Sequence, residues 1–441
     1  MQELKYQVCN AIDRRREEII AIGEDILRHP ELGYREERTS ALVKDWFARL
    51  ELTEPSFPAV TGVKGWMRGL AGKQKVSIAV MGELDAVVSP QHPFADKETG
   101  AAHACGHNAQ IAAMLGCAMG LSAVRKYLQG DICFLAVPAE EYCEIQYRKS
   151  LVDQGKLRYL GGKQQMIAEG AFEDIVIALM DHRLTNAPQP LLVTDVGSTV
   201  FIGKTVRFLG KEAHAGGAPW EGINALNAAS LAIQAVNCCR ETFRDEDHIR
   251  VHPIITKGGD LVNTVPAEVC MESYVRGASL PAMQSANAAV NRAIRGAAYA
   301  LGAKAEVKDL PGYLPLQQNE TLGKMFAANA AELLPDALVE KGLPFCGSTD
   351  GGDLSWVLPL IQPTVSGFSG AAHSKDFRIT DPELAYLVPA KLMSMTVIDL
   401  LEKGAAKAWE IKRSCVHHTA DEYQNVWSEL LKQNEVNMDA D

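Results

Sequence analysis

Six consecutive residues, His103-Ala104-Cys105-Gly106-His107-Asn108, set a thiol and an imidazole two positions apart around a glycine that lets the backbone bend tightly. Deprotonated Cys and neutral His are the donors that Zn²⁺-like ions select. Alone, Cys-x-His equally describes a buried cysteine acting as a small hydrophobe beside an ordinary polar histidine. Three apolar runs add further candidates at their C-terminal ends. Residues 76–82 deliver Glu83 and Asp85, residues 131–137 run into Pro138-Ala139-Glu140-Glu141, and residues 175–180 end in Asp181-His182. A bare Glu-Glu pair also fits a solvated acidic loop. Metal-type or acid–base residues at three successive strand ends are nevertheless the arrangement of an α/β active site.

The elements that must position these groups follow from periodicity. Val8, Ile12, Ile19, Ile20, Ile26 and Leu27 predict one amphipathic helix over residues 7–28, ended by His29-Pro30. A second helix is expected over 38–50. Behind the hexapeptide, Ile111, Met114, Leu115, Ala118 and Leu121 mark one apolar helix face. From about residue 198 the pattern becomes strand, helix, strand, strand, helix, strand, the βαββαβ order of a small antiparallel sheet with two helices on one face. The expected organisation is a catalytic domain in two parts, 1–197 and 312–404, an inserted α+β lid domain at 198–311, and a charged, helical tail at 405–441. Residues 383–401 read as helix despite Pro389. The His417-His418 pair in the tail is expected to be solvated.

Composition narrows the function classes. A chain of 441 residues exceeds what one hydrophobic core usually serves. Lys plus Arg number 44 against 55 Asp plus Glu, an excess of 11 acidic charges that argues against nucleic acid as the partner. No run of about 18 uninterrupted apolar residues occurs, and the first residues lack the apolar core of a signal peptide, so a cytoplasmic protein without a membrane partner is expected. The ten cysteines are scattered, many in apolar segments, as reduced core residues are.

Gly82-Glu83-Leu84-Asp85-Ala86, the Cys-Gly-His-Asn run, Pro138-Ala139-Glu140-Glu141, the stretch 210–215 with His214, and the run from Ser348 to Trp356 together resemble the metallopeptidase family of aminoacylases, carboxypeptidase G and the plant auxin-conjugate amidohydrolases. The branch most resembled is that of the p-aminobenzoyl-glutamate hydrolase B subunit. The resemblance implies a zinc-peptidase-like α/β catalytic domain with a mixed sheet and an inserted lid that also dimerises. It implies two divalent metal ions held by Cys105, His107, Glu141, His182 and His373, with Cys105 bridging, and Glu140 as general base. His214, Asn263 and Arg276 match lid residues that approach the substrate, the first two from the neighbouring subunit of a dimer, while Asp85 and Asn108 sit behind the ligands. Thiolate softness argues for zinc and the family branch for manganese.

The implied activity is hydrolysis of the amide bond of a small N-acyl amino acid or p-aminobenzoyl-glutamate-type substrate. A dipeptidase of the same family is the first alternative, and a catalytically silent binding or partner subunit the second. Three features depart from the family pattern: an insertion over about 142–160, His182 followed by Arg183, and Asn108 in place of the commoner Asp.

Overall fold

A computed structural model describes residues 2–72, 76–188, 190–342 and 347–439, with side chains through residue 432. Its contacts divide the chain into two compact units. The first comprises Met1–Gly197, Gln317–Pro344 and Thr349–Tyr423, and the second Ser198–Leu316, Phe345–Ser348 and Gln424–Asp441.

The first unit is built on a six-stranded mixed sheet in the order Thr53–Ser56, Val63–Met67, Asp131–Val137, Ser77–Glu83, Ile177–Leu179, Leu360–Ile361. The four strands from Asp131–Val137 onward run parallel, and Val63–Met67 joins antiparallel. Burial on both faces explains why the central strands are continuous apolar runs without alternation. A smaller sheet of the same unit pairs Thr364–Ser369 with His182–Thr185, Leu191–Thr194 and Arg378–Ile379.

The helix His107–Val124 lies at the centre of this unit and packs on the strand Ser77–Glu83 and the helices Gln2–Arg14, Arg16–Arg28 and Val388–Ser414. It is buried on nearly every side, not on one face as its apolar spacing predicts. Its many Ala and Gly residues let neighbours approach all round. The single helix expected over 7–28 is two, because Arg15 leaves the helical region at φ −105° and ψ 15°. A wide π-turn at Glu383–Leu387 leads into Val388–Ser414, and Pro389 stands in the first turn of that helix, where its missing N–H is no loss. The segment Glu383–Ser414 is apolar enough to cross a bilayer by composition, yet it breaks at residues 402–405, where the backbone leaves the helical region, and it is buried almost throughout by its own unit, as core helices are.

The second unit carries the antiparallel sheet Arg250–Lys257, Glu268–Gly277, Val200–Leu209, Lys304–Pro311, in that order. Strict alternation of burial along Glu268–Gly277 marks one covered face. The helices Ala225–Cys238 and Leu280–Ala300 cover it, and their apolar residues join those of the sheet in one core. Lys204 is fully buried there, held by Asp309 and by Asn291 Oδ1 at 2.5 Å.

Candidate active site

Cys105 occupies the turn that starts the central helix, and Gly106, its N-cap, adopts φ +84°, a left-handed conformation that suits glycine. That turn brings the two donors of Cys-x-His together. Donor atoms of Cys105, His107 and His182 lie within 4.8 Å of one another, and so do those of Cys105, Glu141 and His373. Cys105 belongs to both groups. Five side chains spread over 269 positions of sequence, from 105 to 373, thus share one locality around a single sulfur. A third group joins Glu83 and Glu140 to His107, whose Nε2 is 3.1 Å from Glu83 Oε2 and 3.9 Å from Glu140 Oε2.

Backbone and side-chain contacts hold these groups in place. The Asp85 carbonyl and carboxylate lie 2.8 and 3.2 Å from His107 Nδ1, and the same carboxylate accepts the Glu141 N–H at 2.8 Å. Asp85 therefore links one member of each triad, and it fixes Nδ1 of His107 as the protonated nitrogen. His373 enters from a loop at φ +60°, a strained setting for a residue with a Cβ, and its N–H donates to the Ala104 carbonyl at 2.9 Å. Its Nε2 stands 3.1 Å from Glu141 Oε1. Arg183 Nη1 lies 2.8 Å from His182 Nδ1. A guanidinium only donates, so that nitrogen accepts and the His182 ring is neutral.

The local charges are unusual. Burial alone would raise the Cys105 thiol, but the positive charge of Arg183 and contact with His107 pull it well below the ordinary value. Cys117 and Cys143 are pushed up to about 12 by burial, so the surroundings single out Cys105 as a thiolate. Burial, then the charges of Glu83, Glu141 and Asp350, lift Glu140 well above the carboxylate range. Glu141 resists burial and is held low by His373, whose own value rises to about 11 through that same carboxylate. Beneath the site, Lys163 is wholly buried, with Nζ 2.6 Å from Glu83 Oε1 and 2.5 Å from Asp350 Oδ1. Gln110 Nε2 donates to the other Glu83 oxygen at 2.8 Å.

The donor set fits divalent cations. One thiolate, three imidazoles and several carboxylates converge where anionic charge needs a positive partner. Two of the atoms that face the centre, His107 Nε2 and Glu141 Oε1, are buried without a hydrogen-bond partner in proper geometry. Such atoms carry a desolvation cost that coordination relieves.

The remaining candidates divide between the units. Asn108 spends its amide on the Gly23 carbonyl at 3.1 Å and the Tyr386 hydroxyl at 3.5 Å, fastening the helix start to neighbouring elements. These bonds engage the Nδ2 group of Asn108, directly beside the ligand candidate His107. In the second unit His214 and Asn263 are neighbours: His214 pairs with Thr264, and Ala215 N–H donates to the Asn263 carbonyl at 2.9 Å. Both are exposed. His214 Nδ1 accepts from Gly217 N–H at 2.9 Å, so Nε2 carries the proton and points a donor outward. Arg276 donates to Ser348 Oγ at 2.6 Å and lies over the Phe201 and Tyr274 rings at 5.0 and 5.6 Å. Lys163 and Asp350, paired beneath the site, are not among the site residues that the sequence singles out. Lys163 directly after Gly161-Gly162 was the one visible signal, a cation next to a tight turn.

A family model described as "Peptidase family M20/M25/M40" matches residues 79–392. The chain is 28% identical over 426 residues to a Xaa-Arg dipeptidase of Mus musculus, covering 92% of this chain and 90% of that protein. It is 26% identical over 325 residues to an N-acetylcysteine deacetylase of Bacillus subtilis (strain 168), covering 72% of this chain and 80% of the other. Its fold is similar to that of a dinuclear metal binding peptidase from Bacillus subtilis, with a TM-score of 0.64, 22% identity, and coverage of 88% of this chain and 99% of that one.

Proposed function

The chain belongs to peptidase family M20/M25/M40, a family of metal-dependent hydrolases of amide bonds, and from that premise we propose that it releases an amino acid from a small dipeptide or N-acyl amino acid. The observation that carries this reading is the sharing of Cys105 by two donor triads with Glu140 alongside. In this reading Cys105, His107 and His182 hold one divalent ion, Cys105, Glu141 and His373 the other, and the metal is zinc or manganese. When bound, the pair polarises the amide carbonyl and acidifies water.

The chain's own groups supply the rest. Glu140 takes the proton of the attacking water and returns it to the departing amine nitrogen, a role suited to a buried carboxylate whose hold on a proton is strengthened by burial and the charges of Glu83 and Glu141. His214 Nε2–H donates to the tetrahedral oxyanion. Arg276, on its aromatic shelf, receives the substrate carboxylate through its planar fork. Asp85 keeps the His107 ring and the Glu141 backbone in register.

We further propose a homodimer formed through the second unit. There Arg250–Lys257 is an outer strand among the described residues, with Ile254 exposed, and Trp220, Leu261 and Val262 are exposed near His214 and Asn263. Light scattering on the purified protein should give twice the chain mass.

Dipeptides ending in Arg or Lys, N-acetyl amino acids and p-aminobenzoyl-glutamate, assayed after chelation and re-addition of Mn²⁺ or Zn²⁺, test the activity. Metal-dependent release of an amino acid from one class is expected. The length and identity of the match to the Xaa-Arg dipeptidase favour the dipeptides. No release from any of them would leave the catalytically silent alternative.

A further inference from the structure

Residues 142–160, the insertion between Glu141 and the Gly161-Gly162 turn, contain the helix Ile145–Asp153, entered through Glu144 at φ +50°. Arg148 on that helix is 1% exposed, unusual for a side chain that is always charged. Its guanidinium binds the site's own backbone. Nη1 donates to the Ala139 carbonyl at 3.1 Å and the Leu160 carbonyl at 2.8 Å, and Nη2 donates to the Glu141 carbonyl at 2.5 Å.

Ala139 and Glu141 flank Glu140, so one planar fork holds the carbonyl on each side of that residue. Their N–H groups are held as well, Ala139 by Glu36 Oε1 and Glu141 by Asp85 Oδ2, both at 2.8 Å. The turn needs such holding, because Ala139 adopts φ +53°, a left-handed conformation that is strained for a residue with a Cβ. Two further residues fix the guanidinium. The Tyr34 ring lies 5.4 Å from it, and a Cβ at Gly33 would collide with Nη2 and stand 2.9 Å from Ala139 Cα.

We propose that Arg148 is a positioning residue of the hydrolytic site, aiming the Glu140 and Glu141 carboxylates by fixing the peptide carbonyls on either side of Glu140. The insertion is then part of the catalytic apparatus and not a surface addition. The proposal rests on Glu140 being the base and Glu141 a ligand. It follows that lysine cannot replace Arg148, since a single ammonium has no fixed fork with which to span both carbonyls.

The test compares Arg148→Met, Arg148→Lys and Gly33→Ala, with surface Lys149→Ala on the same helix as control, on the member of the substrate panel turned over fastest. Turnover is expressed per folded molecule, well below each variant's unfolding temperature. We expect kcat to fall about 100-fold in Arg148→Met, with KM within about threefold, and Arg148→Lys to recover less than a tenth of the wild-type kcat. Gly33→Ala should share the phenotype, and Lys149→Ala should match wild type. In a Glu140→Gln background, Arg148→Met should add clearly less than the 100-fold it costs alone, since the part of its effect that runs through the Glu140 carboxylate is already lost.

Wild-type kcat in folded Arg148→Met overturns the proposal. Should that variant fail to fold, wild-type kcat in both Arg148→Lys and Gly33→Ala overturns it equally. Full turnover in Glu140→Gln alone would remove the base, whatever Arg148 does, and so separates failure of the functional reading from failure of this inference.

Discussion

Lys163→Met removes the ammonium that sits between two carboxylates that have no access to water. Glu83 and Asp350 each lie within 2.6 Å of Lys163 Nζ, and all three side chains are 0% exposed. Breaking a buried ion pair from one side costs about 3–5 kcal/mol, because the orphaned charge stays desolvated. The first unit has roughly 300 residues, so its unfolding entropy is near 0.6 kcal/mol/K and that loss corresponds to a fall in Tm of about 5–8 °C. Met keeps the stem of the side chain, so the effect reports charge and not volume. Thermal unfolding followed by circular dichroism in chelator is the assay. The double variant Lys163→Met/Asp350→Asn should recover part of the loss. An Asn carbonyl still accepts the Lys163 backbone N–H, which now donates to Asp350 Oδ2 at 2.7 Å, while one orphan charge is gone. A Tm within 1 °C of wild type in the single variant would refute the reasoning, for it would mean that removing the ammonium leaves no orphaned carboxylate charge in the cluster.

Other outcomes follow from the same geometry. Glu140→Gln should lower kcat by about 10³-fold or more while metal content stays at the wild-type level, read by elemental analysis. His214→Ala should lower kcat about 10–100-fold with the unfolding of the first unit unchanged, since the side chain is exposed and belongs to the other unit. Burial and the Asp85 charge push Glu36 from 4.5 up to about 8. The folded chain thus keeps a proton that the unfolded chain releases from about pH 4.5, and stability declines as pH rises through that window, by up to about 1.4 kcal/mol per unit. Glu36→Gln should flatten the Tm profile between pH 5 and 8; an unaltered slope would show that Glu36 is not its source.

The strands and most of the helices were legible because their signals are local. Apolar runs of six or seven residues, broken by Gly or Pro, gave the central strands, and the chemistry at their C-terminal ends followed from where parallel strands deliver side chains. Gly106 was legible too, since a glycine between two donors has few other uses. What was not legible depends on partners far along the chain. Glu83 and Lys163 are 80 positions apart, and Lys163 and Asp350 are 187, and nothing in the spacing of three common charged residues marks them as a buried cluster. Arg148 reads as one cation in a polar helix until its three carbonyl partners are known. The Asn108 contacts with Gly23 and Tyr386 are of the same kind, crossing 85 and 278 positions. The helix His107–Val124 was underestimated because periodicity reports contrast between faces, and a helix buried all round has none.

Equilibrium dialysis of the metal-stripped chain against Zn²⁺ or Mn²⁺, with bound metal counted by mass spectrometry, addresses the shared cysteine most directly. Two ions per wild-type chain are expected, and weakening of both together in Cys105→Ala, because one sulfur serves both triads. A wild-type chain that binds at most one ion, or a Cys105→Ala chain that still holds two with wild-type affinity, would contradict the account.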